Sequence, residues 1–120
     1  MDNMDLLREL QEIVESRIDE HVEGSYTAYL FDAGLDKILK KVGEECAETI
    51  IAAKNLEVCI QNSPTEGEAR EALKGEVGDL IYHLIVMLEV LGVDVDEVED
   101  LLRERMKKKG NLKDGMKGVR

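Results

Sequence analysis

Apolar residues in this chain recur at the spacing of an α-helix, over segments long enough that little else can form. Leu73, Val77, Leu80, Ile81, Leu84, Leu88 and Leu91 fall on one face at three- and four-residue steps. A start signal precedes that stripe at Ser63-Pro64-Thr65-Glu66, with Ser63 as cap, Pro64 at the first helical position and Glu66 completing a capping box. Gly92 stops it. Between Ile81 and Val90 the segment is apolar nearly all round, so it is expected to be the buried spine of the fold. Leu6, Leu7, Leu10, Ile13, Val14 and Ile18 predict a first helix from about Met4 to Glu20. Ser25 is positioned to cap a short helix, Tyr26 to Asp32, closed by Gly34. A long helix from about Asp36 to Gln61 has the apolar face Ile38, Leu39, Val42, Cys46, Ile50 and Ala53. Asp94 and Glu97 cap a last helix to about Lys109, with Val95, Val98, Leu101 and Leu102 facing inward.

The class that follows is all-α, a small bundle of four to five helices. One Pro, one Phe and no Trp among 120 residues argue against a sandwich or barrel. The chain suffices for one domain, placed at residues 1–109, but a core of this size is marginal, so a partner subunit would help. Charge is unevenly distributed. Lys107 to Arg120 holds six Lys or Arg against one Asp, whereas the whole chain carries −11. Residues 110–120 therefore form a basic tail, rich in glycine and expected to be mobile. The acidic balance excludes nucleic acid as the main partner, since that needs a basic surface.

Cys46 and Cys59 lie on one predicted helix, about 20 Å apart at a rise of about 1.5 Å per residue, too far to pair. Two lone thiols and no secretory leader suggest a reducing compartment. The longest apolar run, Leu84 to Val93, is interrupted by Glu89 and too short for a membrane span. A soluble, cytoplasmic protein is expected.

The chemistry is concentrated in two acidic motifs. Glu44-Glu45-Cys46-Ala47-Glu48 places three carboxylates on one side of its helix, and Glu76-Val77-Gly78-Asp79 places two more on the next. Glu45 and Glu76 border the apolar stripes, so packing the stripes together would crowd five carboxylates along one seam. Like charges at that range are unfavourable unless protonated or neutralised. Hard divalent cations prefer such oxygens, and Mg²⁺ keeps coordination positions for water and phosphates. A seam of this kind suits attack of water on a polyphosphate. Gly43, Gly75 and Gly78 beside the carboxylates each cost a helix about 1 kcal/mol relative to Ala. They predict a close approach to the backbone, by another helix or by substrate. The bland alternative is a solvated acidic face on a non-catalytic interaction module, and 27 acidic residues in the chain keep it open.

Glu-Glu-x-x-Glu followed by Glu-x-x-Asp is similar to the signature of the all-α nucleotide pyrophosphohydrolases, the MazG-like superfamily. The stretches Gly24-Ser25-Tyr26-Thr27-Ala28, Lys41-Val42-Gly43-Glu44-Glu45, Ala52-Ala53-Lys54-Asn55 and Asp79-Leu80-Ile81-Tyr82-His83-Leu84 resemble one branch, the phosphoribosyl-ATP pyrophosphohydrolases of histidine biosynthesis. The resemblance covers roughly Leu6 to Arg105, and departs from the branch in a longer connection around Asn55 to Gly67. It implies Mg²⁺-dependent hydrolysis between the α- and β-phosphates of phosphoribosyl-ATP by a homodimer, with Mn²⁺ as a substitute cation. Glu45, Glu48, Glu76 and Asp79 would be core metal ligands. Glu44 would be a further ligand or would orient the attacking water. Lys41 and Lys54 would neutralise phosphate charge, and Ser25, Tyr26 and Thr27 would contact substrate. A house-cleaning enzyme acting on free or deoxy nucleoside triphosphates would use the same metal site with a different base pocket. His83, four residues after Asp79, can serve the seam or simply fill the core, and Tyr82 reads as packing.

Overall fold

The computed structural model describes residues 6–60 and 63–108, and every regular element among them is a helix. The order is α1 (Leu6–Asp19), α2 (Tyr26–Ala33), α3 (Leu35–Cys59), α4 (Glu66–Val90) and α5 (Val95–Lys107). The expected starting turn of the first helix, at Met4, and the basic tail from residue 110 lie outside the described residues. None of the helices is long and apolar enough to cross a membrane.

The long helices α3 and α4 make the most extensive contact in the chain. Their short connection makes them an antiparallel hairpin. α1 packs on α4, α2 lies against α3 and α1, and α5 touches α1. The core gathers Val14, Leu30, Ile38, Ile85, Val86 and Val95, one or two from each helix. Gly34, at φ 100°, joins α2 to α3 with no intervening loop, a conformation that only glycine adopts readily.

Local signals decide most of the helix ends. The Ser25 hydroxyl accepts from Ala28 N at 3.3 Å, as a cap should. Asp94 accepts from Asp96 N at 2.8 Å while Glu97 accepts from Asp94 N at 2.9 Å, completing the capping box. The start of α4 differs from expectation. Its cap is Thr65, with no side-chain cap bond, and Pro64 falls in the preceding turn. Ser63 is occupied locally, its hydroxyl 2.9 Å from that of Thr65. Glu66 bonds to Arg70 one turn on, at 3.2 Å, which takes it away from a capping box.

Three predicted faces also need correction. On α3 the buried positions are Ile38, Glu45, Ala52 and Leu56, whereas Leu39, Cys46, Ile50 and Ala53 are exposed. The helix carries two apolar stripes, and α4 covers only one of them. On α5 only Val95 is buried, with Val98, Leu101 and Leu102 exposed, because α5 meets the rest of the fold through its first turns. The spine of α4 is buried at His83, Ile85 and Val86, but Ile81 and Leu91 are open to solvent.

One buried polar side chain ties both ends of the chain together. Gln11 donates from Nε2 to the Val93 carbonyl at 2.9 Å and accepts at Oε1 from Val95 N at 2.8 Å. These bonds serve the backbone of the turn between α4 and α5, where an orphaned buried group costs about 1–3 kcal/mol. Replacing Gln11 by Leu, which keeps the bulk and loses both bonds, is expected to lower unfolding stability by about 2 kcal/mol or more. Urea denaturation of the two proteins measures the difference.

Candidate metal centre and active site

The α3–α4 seam is where the acidic motifs meet. Glu45 comes from the buried face of α3, 7 % exposed. Glu76 and Asp79 come from one face of α4. Each of the three offers an oxygen, and these atoms lie within 4.8 Å of one another. Glu48, one turn beyond Glu45, lies near enough to both Glu45 and Glu76 to raise their carboxyls. The structure thus brings together four of the five predicted carboxylates. Glu44, about 100° around the helix from Glu45, instead receives the Lys41 ammonium at 3.2 Å.

Electrostatics marks the seam as incomplete. Close contact with Glu48, burial, and repulsion from Glu48 and Glu45 raise the Glu76 carboxyl to about 7. Burial, then repulsion from Glu48, raises Glu45. Among the described residues, Glu45 Oε2 and Glu76 Oε2 are buried side-chain oxygens without a hydrogen-bond donor. Buried acceptors are rarely left so. Carboxylate oxygens from two helices, short of donors and crowded by like charge, fit a hard divalent cation. Its residents would be Glu45, Glu76, Asp79 and Glu48.

Two different environments flank the cluster. On one side lies the start of α2. The Tyr26 hydroxyl is 2.8 Å from His83 Nε2, and the Thr27 hydroxyl meets that of Tyr82. Lys41 acts electrostatically on Tyr26, as does Glu45. On the other side a cleft of about 430 Å³ opens between α3 and α4, walled by Glu48, Ile51, Asn55, Thr65, Ala69 and Glu76. Lys54 pairs with Glu57 on the surface, nine residues after Glu45 and so about half a turn from it around α3. A Cβ at Gly43, Gly75 or Gly78 would meet nothing within 4 Å. Among the described residues, no helix packs against those glycines.

Sequence reasoning missed the cleft and the hydroxyl role of Tyr82. Ile51 and Asn55 share the Glu48 side of α3 at three- and four-residue steps, a signal that could have found the cleft wall. Tyr82 carries no such signal, since its partner lies 55 residues away.

A carboxylate seam between two helices of an all-α fold is of the kind that would suit a metal-dependent hydrolase. Comparison with known proteins narrows it. The family model for phosphoribosyl-ATP pyrophosphohydrolase matches residues 7–106. The chain is 42 % identical over 113 residues to a phosphoribosyl-ATP pyrophosphatase of Clostridium novyi, covering 94 % of this chain and 92 % of that one. It is 46 % identical over 109 residues to a protein of the same description from Pelotomaculum thermopropionicum, covering 91 % and 99 %. It is 44 % identical over 104 residues to a histidine biosynthesis bifunctional protein of Bacillus subtilis, covering 87 % of this chain and 44 % of that one. The chain belongs to the phosphoribosyl-ATP pyrophosphohydrolase family, and it is an enzyme.

The raised Glu76 carboxyl gives the centre a proton to lose. A group whose pKa is higher in the folded state holds its proton preferentially there, so its stabilisation is present below the unfolded value and fades as pH rises through about 7. A cation must displace that proton. Mg²⁺ affinity is therefore expected to rise by about tenfold between about pH 6 and about pH 7.5, with proton release on binding. Calorimetry in two buffers of different ionisation enthalpy reads both quantities. In Glu76→Gln the pH dependence should flatten and affinity should fall.

Proposed function

We propose that the chain hydrolyses the α–β phosphoanhydride bond of phosphoribosyl-ATP in the cytoplasm, with Mg²⁺ held by Glu45, Glu48, Glu76 and Asp79, and works as a homodimer. Family membership supports the reaction, and the two donor-less carboxylate oxygens in the seam support the cation. Products are phosphoribosyl-AMP and pyrophosphate, an early step of histidine biosynthesis. When bound, the cation supplies Lewis-acid activation and offsets phosphate charge. Mn²⁺, of similar hardness, substitutes.

The residues divide the remaining work. Lys41, half-buried beside the cluster, balances charge on the phosphates. Glu44, bonded to Lys41 and turned from the three closest carboxylates, orients the attacking water instead of adding a ligand. Ser25 holds the start of α2, and with it Tyr26 and Thr27, against the seam. Lys54 is left to phosphate that extends along α3.

The homodimer reading rests on the uncovered apolar stripe. Leu39 and Ile50 on α3, and Leu101, Leu102 and Met106 on α5, are all at least 43 % exposed. Large apolar side chains left open on a helix face are the kind of surface that a partner subunit covers. Sedimentation should find a dimer, and Ile50→Glu should shift it toward monomer.

Glu48→Gln is expected to reduce pyrophosphate release by about 10²-fold or more while the thermal midpoint stays at or above that of the parent, since one source of repulsion is gone. Retained turnover would remove Glu48 from the mechanism. A panel of free ribo- and deoxynucleoside triphosphates beside phosphoribosyl-ATP tests the substrate. Release mainly from the free triphosphates would move the chain to the house-cleaning branch, and release from none would leave the non-catalytic reading.

A further inference from the structure

Consecutive residues of α2 meet consecutive residues of α4: Tyr26 meets His83, and Thr27 meets Tyr82. His83 is only 5 % exposed and Thr27 is fully buried. The imidazole has a second bond, from Nδ1 to the Asp79 carbonyl at 2.7 Å. A carbonyl oxygen only accepts, so Nδ1 carries the ring hydrogen. In the neutral ring Nε2 is then a lone pair, and the Tyr26 hydroxyl must be the donor in the 2.8 Å contact. Its one hydrogen is used. Tyr26 is 44 % exposed, and its oxygen has lone pairs alone left to offer. Phosphate oxygens carry no hydrogen at neutral pH, so this oxygen has nothing to offer them.

We propose that His83 is a positioning residue for the substrate: its fixed tautomer turns Tyr26 into an obligate acceptor, which takes a hydrogen bond from a sugar hydroxyl of the nucleotide and not from its phosphates. The buried Thr27–Tyr82 contact holds the same step of α2 in place, so the orientation does not depend on the surface. Asp79 joins the arrangement through its backbone, which connects the carboxylate-bearing turn of α4 to the substrate-facing start of α2. The hydroxyls of α2 therefore read the sugar, while Lys41 faces the phosphate charge. The inference rests on the hydrolysis proposed above.

Four proteins test it: the parent, Tyr26→Phe, His83→Leu and the double variant, with His83→Gln as the rescue, whose side-chain oxygen can accept where Nε2 stood. Losing one hydrogen bond to substrate should raise KM for phosphoribosyl-ATP about five- to tenfold in each single variant, with kcat within about threefold. The double variant should be no worse than either single, and His83→Gln should recover most of the loss. Product inhibition by pyrophosphate should stay within about twofold throughout. Long-range ¹H–¹⁵N spectra of the parent, which has two histidines, should show an unprotonated Nε2 for His83. Additive losses in the double variant, a loss confined to kcat, unchanged kinetics, weakened pyrophosphate inhibition or a protonated Nε2 would each overturn the proposal. If His83→Leu does not fold, Tyr26→Phe and the spectra decide it alone. A parent that leaves phosphoribosyl-ATP intact would refute the reaction, while the spectra would still report on the ring.

Discussion

Mutual repulsion among Glu45, Glu48, Glu76 and Asp79 is the constraint around which the molecule is arranged. A hairpin of two long helices has to bring its facing surfaces together, and here those surfaces include carboxylates as well as apolar side chains. Ala52, Leu56 and the half-buried Leu73 and Leu80 supply the packing. The cluster opposes it. Without a cation the structure can relieve the opposition by keeping a proton, and the displaced Glu76 carboxyl is the sign of that. A cation held in the seam, as proposed, would take the same oxygens as ligands. Folding of the hairpin and occupation of such a centre would then be linked through one seam, since anything that binds only the folded form stabilises it.

The elements around the hairpin give the seam a direction. Toward the start of α2 the surroundings are hydroxyl-bearing and include Lys41. Toward the end of α3 and the start of α4 they combine Ile51 and Ala69 with Asn55, Thr65 and Glu68 in the cleft. A substrate with a triphosphate at one end, a nucleoside in its middle and a sugar phosphate at its other end also differs along its length. Both sides are built on helices, which hold side chains more rigidly than loops do, and the one short helix, α2, is anchored by bonds to α4.

The helical class was legible because each element carries its own period and most carry their own caps. Ser25 and Asp94 acted as read, since nothing nearby competed for their side chains. Ser63 and Glu66 did not, because Thr65 and Arg70 offered better local partners, and a cap motif gives no account of competitors. The acidic pair was legible through its three-residue spacing, which is a property of one helix. Separating Glu44 from Glu48 was harder, as both neighbour Glu45, and only the position of α4 decides which of them turns toward the seam. The Tyr26–His83 bond joins residues 57 apart, a distance over which spacing carries no information.

The misread face of α3 has a physical meaning of its own. Periodicity reports which positions are apolar, not which partner covers them, and α3 has apolar residues on two sides. One side is fixed by α4 and bears Glu45. The other, with Leu39 and Ile50, remains open in the single chain. A helix held along only one face can roll, and a roll of a few degrees would move Glu45 and Glu48 relative to Glu76 and Asp79. Cation ligation tolerates little such movement, because bond lengths to a hard ion are short and nearly fixed. Covering the second stripe would therefore do more than hide apolar surface: it would clamp α3 from both sides and hold the two acidic motifs in register. On this argument the proposed subunit association and the proposed metal site would be coupled through the rotation of one helix.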